Sequence, residues 1–234
     1  MLQARHTQDG VVEVGIDEAG RGCLWGPLFA AAVVWPAEEV WTDEVRALSG
    51  QIKDSKKLTP KRRAVLEEAI QRHAVVWGLG RVDAAEIDVV GMTRANRLAF
   101  QRALEAVTAK GAAPGRILVD GILGLTADVL AGREQHVLVK GDGAYLSIAA
   151  ASILAKEGHD RVVRTMCEED PGLHERYGLL SSKGYGTAAH QAAIRRHGMH
   201  TEHRKLFLRK LLCLEHTVHG EVQDVTRGYN FLED

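Results

Sequence analysis

Two rhythms of apolar residues run along the chain. Short runs rich in Val, Ile and Ala, closed by Gly, Pro or Asp, predict strands at 11–17, 28–35, 74–82, 116–120 and 136–142. Stretches with apolar residues three and four apart predict helices. The clearest spans 93–109, with Phe100, Leu104 and Val107 in register and Gly111 as its stop. Thr59-Pro60 reads as the N-cap and first turn of another, whose Val65, Leu66, Ala69 and Ile70 fall on one face. Residues 147–156 are nearly all Ala, Ile and Leu, which predicts a buried helix in very close contact with its neighbours. Residues 187–197 and 202–214 read as two further helices around Gly198. Segment 37–57 is expected to be loop with at most a short helix, and the polar segment from about His216 a frayed tail.

The connection between the first two strands is too short for a crossover helix, so they are expected to pair antiparallel. Strands and helices then alternate from residue 70 to about 160, which favours an α/β layer with a partly parallel sheet. No repeat, Pro-rich linker or low-complexity stretch divides the chain. The economical organisation is one compact unit, an α/β catalytic domain over 1–190 carrying a helical C-terminal appendage over 191–234.

Composition narrows the function classes little. The 234 residues carry 30 Lys/Arg against 31 Asp/Glu, so net charge does not announce a nucleic-acid partner. Local clusters do exist: Lys53, Lys56, Lys57, Lys61, Arg62 and Arg63 in one segment, and Arg195, Arg196, Arg204, Lys205, Arg209 and Lys210 in another. On base rates alone both are solvated helix faces. Three scattered cysteines, Cys23, Cys167 and Cys213, argue against a disulfide framework or a zinc site. The first residues lack the apolar core of a signal peptide, and no apolar run approaches a membrane span. A cytoplasmic monomer with no membrane association is the default expectation.

The candidate chemistry is acidic. Asp17 and Glu18 stand side by side at the expected end of the first strand, and two more predicted strands close on Asp120 and Asp142. Any one such aspartate is more often a turn former. Its recurrence on three strands is what points to a shared site, because functional groups gather where sheet strands meet loops. Carboxylates brought together there repel one another unless a cation sits among them. An oxygen-only set suits Mg²⁺ or Mn²⁺, and paired ions of that kind serve in-line displacement at phosphodiesters. Adjacent Asp17 and Glu18 cannot both point one way from a regular strand, so one of them is expected to use irregular backbone, a water or its carbonyl.

The Gly20-Arg21-Gly22 loop with Gly26 is a near miss to a dinucleotide fingerprint. That motif needs a helix after the loop, whereas Pro27 and a β-rich run follow here. A glycine-walled loop with one arginine still permits close approach to a sugar or phosphate.

Read together, these strings resemble the ribonuclease HII family, the bacterial type 2 ribonucleases H. The matching pieces are Gly-Ile-Asp-Glu-Ala-Gly-Arg-Gly-Cys-Leu-x-Gly-Pro from Gly15, Asp-Ser-Lys-Lys-Leu-Thr-x-Lys-Arg-Arg from Asp54, and Val-Asp-Gly at Val119. Lys140-Gly141-Asp142, the Ala-rich run from Ser147 to Lys156, Lys-Gly-Tyr-Gly-Thr from Lys183 and His203-Arg-x-x-Phe207 follow in the same order. The resemblance implies a ribonuclease H-like mixed sheet flanked by helices and a two-metal phosphodiesterase. It implies Asp17, Glu18, Asp120 and Asp142 as the metal-holding catalytic carboxylates. It makes Gly20, Arg21 and Gly22 the readers of a ribose 2′-hydroxyl, the group that separates RNA from DNA. Tyr185 would stack on the neighbouring sugar, and Ser55, Lys56 and Lys183 would hold backbone phosphates. The implied partners are duplex DNA containing ribonucleotides and RNA–DNA hybrids, cut 5′ to the ribonucleotide to leave 3′-hydroxyl and 5′-phosphate ends.

Two departures stand out. The family's usual Lys-Val-Thr-Arg-Asp is Lys156-Glu-Gly-His-Asp160 here, with Gly158 expected to weaken the helix and Asp160 expected to pair structurally. Gly186 replaces a proline, which is expected to loosen the Tyr185 loop. The rival readings are a ribonuclease HIII-like hybrid-specific nuclease, a non-catalytic nucleic-acid-binding module and a small-molecule phosphatase. The first usually carries an extra N-terminal domain and departs from Gly-Arg-Gly; the last leaves the basic segments and Tyr185 without a task.

Overall fold

The computed structural model describes residues 2–213, and the expected tail from His216 lies outside them. Strand β1 (Glu13–Ala19) passes through the glycine loop into β2 (Leu28–Val34). Helices α1 (Asp43–Ser49) and α2 (Pro60–His73) deliver the chain to β3 (Val76–Val82). A helical corner, α3 (Ala84–Val90) and α4 (Met92–Thr108), leads to β4 (Arg116–Asp120). The single turn α5 (Ala127–Leu130) and strand β5 (Glu134–Leu138) precede the long α6 (Leu146–Glu169). Four shorter helices follow: α7 (Pro171–Tyr177), α8 (Leu179–Ser182), α9 (Ala188–His197) and α10 (Lys205–Cys213).

The sheet has the order β3-β2-β1-β4-β5. The first three strands in sequence pair antiparallel, and β1–β4 and β4–β5 pair parallel. This is the mixed sheet that connection lengths predicted, since β4 is reached only after the α3–α4 crossover. Thr59 caps α2 as expected, its hydroxyl accepting from the Arg62 N–H with Pro60 in the first turn.

Helix layers cover both faces. Phe100, Leu104 and Val107 of α4 pack on Val14, Ile16, Ala30 and Ala32. On the other face Ala150, Ile153 and Leu154 of α6 join Leu66 and Ile70 of α2 against Ala31 and Val33. Strand β2 is buried along its whole length and made of small residues, which lets both layers come close. The contact is close at Gly15, where a Cβ would fall 2.3 Å from the Ser147 backbone carbon. A third cluster joins Trp25 of the glycine loop to Val163, Leu173, Tyr177, Ile194 and Leu208, which roots that loop among the C-terminal helices.

Several local expectations are corrected by packing. The strand expected over 136–142 ends at Leu138, and Asp142 sits in a 3-10 turn (Gly141–Gly143) beyond it. The helix expected over 147–156 runs unbroken to Glu169. It passes through Gly158, which lets it approach the sheet, since a Cβ there would lie 3.2 Å from the Phe29 ring. Val65 is 53% exposed, and the buried face of α2 uses Arg63 and Glu67 beside Leu66 and Ile70. Arg63 is therefore no solvated cation: it pairs with Glu157 at 2.7 Å and Asp160 at 3.3 Å. Helices α3, α7 and α8 carried too few periodic positions to be foreseen.

Candidate active site

Asp17 and Asp120 meet through sheet register. Parallel pairing of Ile16 with Val119 sets the two acids level on neighbouring strands, on the face covered by α6. Asp142 arrives by a different route. The chain after β5 turns at Lys140, whose φ of +59° is left-handed, and the Gly141 N–H donates to Asp120 Oδ1 at 2.7 Å. One oxygen from each of Asp17, Asp120 and Asp142 lies within 4.8 Å of the others, the one such group among the described residues.

The electrostatics of this group are unfavourable in isolation. Burial, then Glu18 and Asp120, pushes the Asp17 carboxyl well above the usual carboxylate range. Burial, then Asp120 and Asp54, raises Asp142. Against this, the Glu18 N–H donates to Asp17 Oδ1 at 2.7 Å, and the neighbouring Ser152 hydroxyl also favours the ionised form. An all-oxygen set held this close and short of positive charge fits a hard divalent cation such as Mg²⁺ or Mn²⁺.

Glu18 stands apart. Strand β1 stays regular through Ala19, so Asp17 and Glu18 project to opposite faces and no irregular backbone brings them together. The Glu18 carboxylate lies 3.8 Å from Arg21 and beside Asn96 of α4. Burial raises its pKa, and Arg21 and Asn96 oppose that. Asn96 is fully buried, and neither of its amide atoms has a partner in good hydrogen-bond geometry. It was not anticipated, although an Asn among Ala95, Ala99 and Phe100 on an apolar face was a visible anomaly.

Beside the acids opens a cleft of about 570 Å³ lined by Asp54, Lys56, Lys57, Lys140, Asp120 and Asp142. Lys56 thus reaches the site, with Lys57 and Lys140 as cations that sequence reasoning did not single out here. Ser55 does not face the cleft in the same way. It is buried, and its hydroxyl lies 2.8 Å from that of Ser152, a neighbour of Asp17.

The glycine loop is built for close approach. Gly20 has φ +83°, and a Cβ there would fall 2.4 Å from the His159 ring, whereas Gly22 has open space in front of it. Arg204, fully buried, holds the loop from behind. Its Nη1 donates to the carbonyls of Gly20 at 2.7 Å and Arg21 at 3.1 Å, and its Nε donates to Gly26 at 2.8 Å. Burial lowers its pKa to about 10. Arg204 is therefore a prop for the loop rather than the surface cation its sequence cluster suggested.

Tyr185 stands next to this loop. Residues 23 and 185 pair as an antiparallel bridge, and the N–H groups of Leu24 and Trp25 both donate to the Gly184 carbonyl. These bonds tie the loop to the glycine loop, and a side chain at Gly186 would meet Leu24. Tyr185 is 37% exposed with the Lys156 ammonium 5.3 Å from its ring, and burial raises its hydroxyl pKa to about 12. Lys183 sits two residues before it in a left-handed turn, its carbonyl facing the Cys23 thiol. Cys23 also contacts His159, which bonds Asp160 at 3.0 Å, and Asp160 bonds Lys156 and Arg63. Asp160 is thus a structural pairing residue, as expected.

A mixed five-stranded sheet between helices, with three aspartates converging at its strand ends, defines the class: a nuclease of ribonuclease H-like fold. The profile of the family described as Ribonuclease HII matches residues 14–211. The chain is 43% identical over 212 residues to the ribonuclease HII of Synechococcus sp. (strain CC9902), covering 91% of this chain and all of that one. The crystal structure of ribonuclease H2 from Pyrococcus horikoshii OT3 superposes with TM-score 0.65 at 25% identity, covering 89% of this chain and 99% of that one. Bst-RNase HIII in complex with Mn²⁺ shares the fold, with TM-score 0.63 at 24% identity over 89% of this chain and 71% of that one. The chain belongs to the ribonuclease HII family. Membership makes it a hydrolase with ribonuclease H endonuclease activity.

Proposed function

We propose that the chain hydrolyses the phosphodiester 5′ to a ribonucleotide embedded in duplex DNA, and the RNA of RNA–DNA hybrids, leaving 3′-hydroxyl and 5′-phosphate ends. The convergence of Asp17, Asp120 and Asp142 within 4.8 Å, beside the glycine loop and Tyr185, is the observation that carries this reading. Asp17, Asp120 and Asp142 hold two divalent ions, Mg²⁺ or Mn²⁺, and Glu18, whose side chain lies on the other face of β1, joins them through its backbone carbonyl or a water. When bound, such ions supply activation of a water and stabilisation of the leaving oxygen.

The chain's own residues supply selection and alignment. Lys56 and Lys183 hold backbone phosphates, and Ser55 contributes through Ser152 to the placement of Asp17. The open space at Gly22 admits a sugar edge to the backbone, and Gly20, Arg21 and Gly22 read the 2′-hydroxyl. Tyr185 stacks on the adjoining sugar. Because the 2′-hydroxyl is read and not used as nucleophile, water attacks phosphorus and the 3′ oxygen leaves. The described part of the C-terminal appendage, residues 191–213, packs on the 1–190 catalytic domain and adds duplex contacts; the rest of the expected 191–234 appendage lies outside the described residues. Chromosomal DNA as substrate sets the enzyme in the cytoplasm, and we assign it as a monomer.

The test is a duplex carrying one ribonucleotide, incubated with Mg²⁺, with Mn²⁺ and with EDTA. The expected result is a single metal-dependent nick on the 5′ side of the ribonucleotide. Cleavage only of long hybrids indicates the ribonuclease HIII-like alternative. Duplex binding without any cleavage indicates a non-catalytic module, and either outcome overturns the proposal.

A further inference from the structure

The segment 200–204 touches both elements assigned above to ribonucleotide reading, and two consecutive residues do it. Arg204 spends its guanidinium on three carbonyls of the glycine loop, as described, and its backbone N–H donates to Leu24 at 2.8 Å. Gly26 returns a bond to Glu202 at 2.9 Å, and residues 25 and 203 pair as a bridge. His203 turns the other way, with its Nε2 3.1 Å from His190 Nε2, and His190 Nδ1 lies 2.9 Å from the Tyr185 carbonyl.

The proton positions in this chain follow from its ends. The His200 N–H donates to His203 Nδ1 at 2.8 Å, so Nδ1 is the acceptor and the His203 proton is on Nε2. His190 Nε2 must then accept, which puts the His190 proton on Nδ1, facing a carbonyl that can only accept. Both rings are neutral and every ring nitrogen is used. Both are fully buried, and Tyr177 packs edge-on to each. A polar relay of two neutral imidazoles thus runs from the 200–204 segment to the backbone of Tyr185.

We propose that His203 and Arg204, with His190 as relay, are positioning residues that hold the Tyr185 loop and the Gly20–Gly26 loop at one fixed separation. The inference rests on the reader roles assigned to those loops under the proposed function. The two loops are joined directly at the 23–185 bridge and the Gly184 carbonyl, and the 200–204 segment adds a second tie that fixes each of them from behind. A shift of about an ångström between two groups that must grip the same nucleotide costs on the order of a hundredfold in rate.

The test compares His190→Asn, which keeps a donor at the Nδ1 position, with His190→Leu, which removes it, and adds Arg204→Lys. Nicking of the single-ribonucleotide duplex is measured as kcat and KM, together with thermal melting. His190→Leu and Arg204→Lys should lose about 10- to 100-fold in kcat, and His190→Asn should recover most of the first loss. In a Tyr185→Ala background, His190→Leu should cost nothing further, because it acts only through Tyr185. Equal kcat in His190→Asn and His190→Leu, or full additivity with Tyr185→Ala, overturns the positioning role. Should His190→Leu fail to fold, the comparison of Arg204→Lys and His190→Asn with wild type decides: unchanged kcat for Arg204→Lys overturns the proposal, and a selective loss there supports it. If Tyr185→Ala and Arg21→Ala themselves leave nicking and discrimination intact, the reader roles fail, a result distinct from failure of the clamp.

Discussion

Gly20 and His159 are in backbone-to-ring contact: a Cβ on Gly20 would lie 2.4 Å from His159 Cδ2 and 2.7 Å from Nε2. The His159 ring is fixed in turn by Asp160 and Cys23, so it has no freedom to yield. Gly22, two residues on, meets nothing within 4 Å. Gly20→Ala should therefore destabilise the fold by about 1–3 kcal/mol, from positive φ and the clash together. Gly22→Ala should leave the melting temperature unchanged and still slow nicking, because under the proposed function that open space admits the sugar. Melting curves and single-turnover rates on the two variants check this. A Gly22→Ala enzyme with wild-type rate would show that no substrate atom comes close there.

Asp17 is buried among like charges, so its ionised form is held at a cost. Asp17→Asn should raise the metal-free melting temperature while reducing nicking about a thousandfold or more. It should also remove most of the stabilisation that Mg²⁺ or Mn²⁺ gives the wild type. Differential scanning fluorimetry with and without the ions measures both effects. A lower metal-free melting temperature in the variant would contradict the repulsion.

The His190–His203 relay has a pH signature. Burial first, then His190, lowers the His203 pKa from its ordinary 6.5 to about 4. Between those values the unfolded chain carries a proton on His203 that the folded chain does not. Stability therefore rises with pH across this window and is fully present above 6.5. Acidification from 6.5 towards 4 should lower the melting temperature, and less so in His203→Gln. A pH dependence identical in the variant would assign the effect to other groups.

Arg63 is the cation between Glu157 and Asp160, all three buried. Arg63→Ala leaves two acids with less compensation and should cost about 3–5 kcal/mol. The Asp17, Asp120 and Asp142 cluster is untouched, so kcat of the fraction still folded at low temperature should stay near wild type. Urea denaturation and low-temperature kinetics separate the two. A stability loss under about 1 kcal/mol would mean that solvent already screens the pair.

Much of the candidate site was legible because its residues carry their signal locally. An apolar run closing on Asp120 is a strand-end acid whatever surrounds it, and Gly-Arg-Gly before Pro27 excludes a dinucleotide cradle by the order of its elements alone. The mixed sheet was legible for a related reason, since connection lengths decide strand direction. Asp142 was found for a partly mistaken reason: it closes a turn held by Gly141 on Asp120, not a strand.

What local pattern could not hold was the pairing of distant residues. Arg63 and Arg204 read as solvated cations because charge in sequence carries no burial, and both prove internal once α2 and the C-terminal helices dock. His190 has no signal of its own and acquires a role only through His203 and the Tyr185 carbonyl. Glu18 kept the alternation its strand imposes, and tertiary packing gave it Arg21 and Asn96 as neighbours on the far face. Residue type and spacing alone determined the α/β class, the strand-end acids and the glycine loop beside them, because hydrophobic period and strand-end chemistry are properties of neighbours in sequence. The tertiary structure decided which groups are buried and which share a proton or a charge, because those depend on contacts closed across the chain.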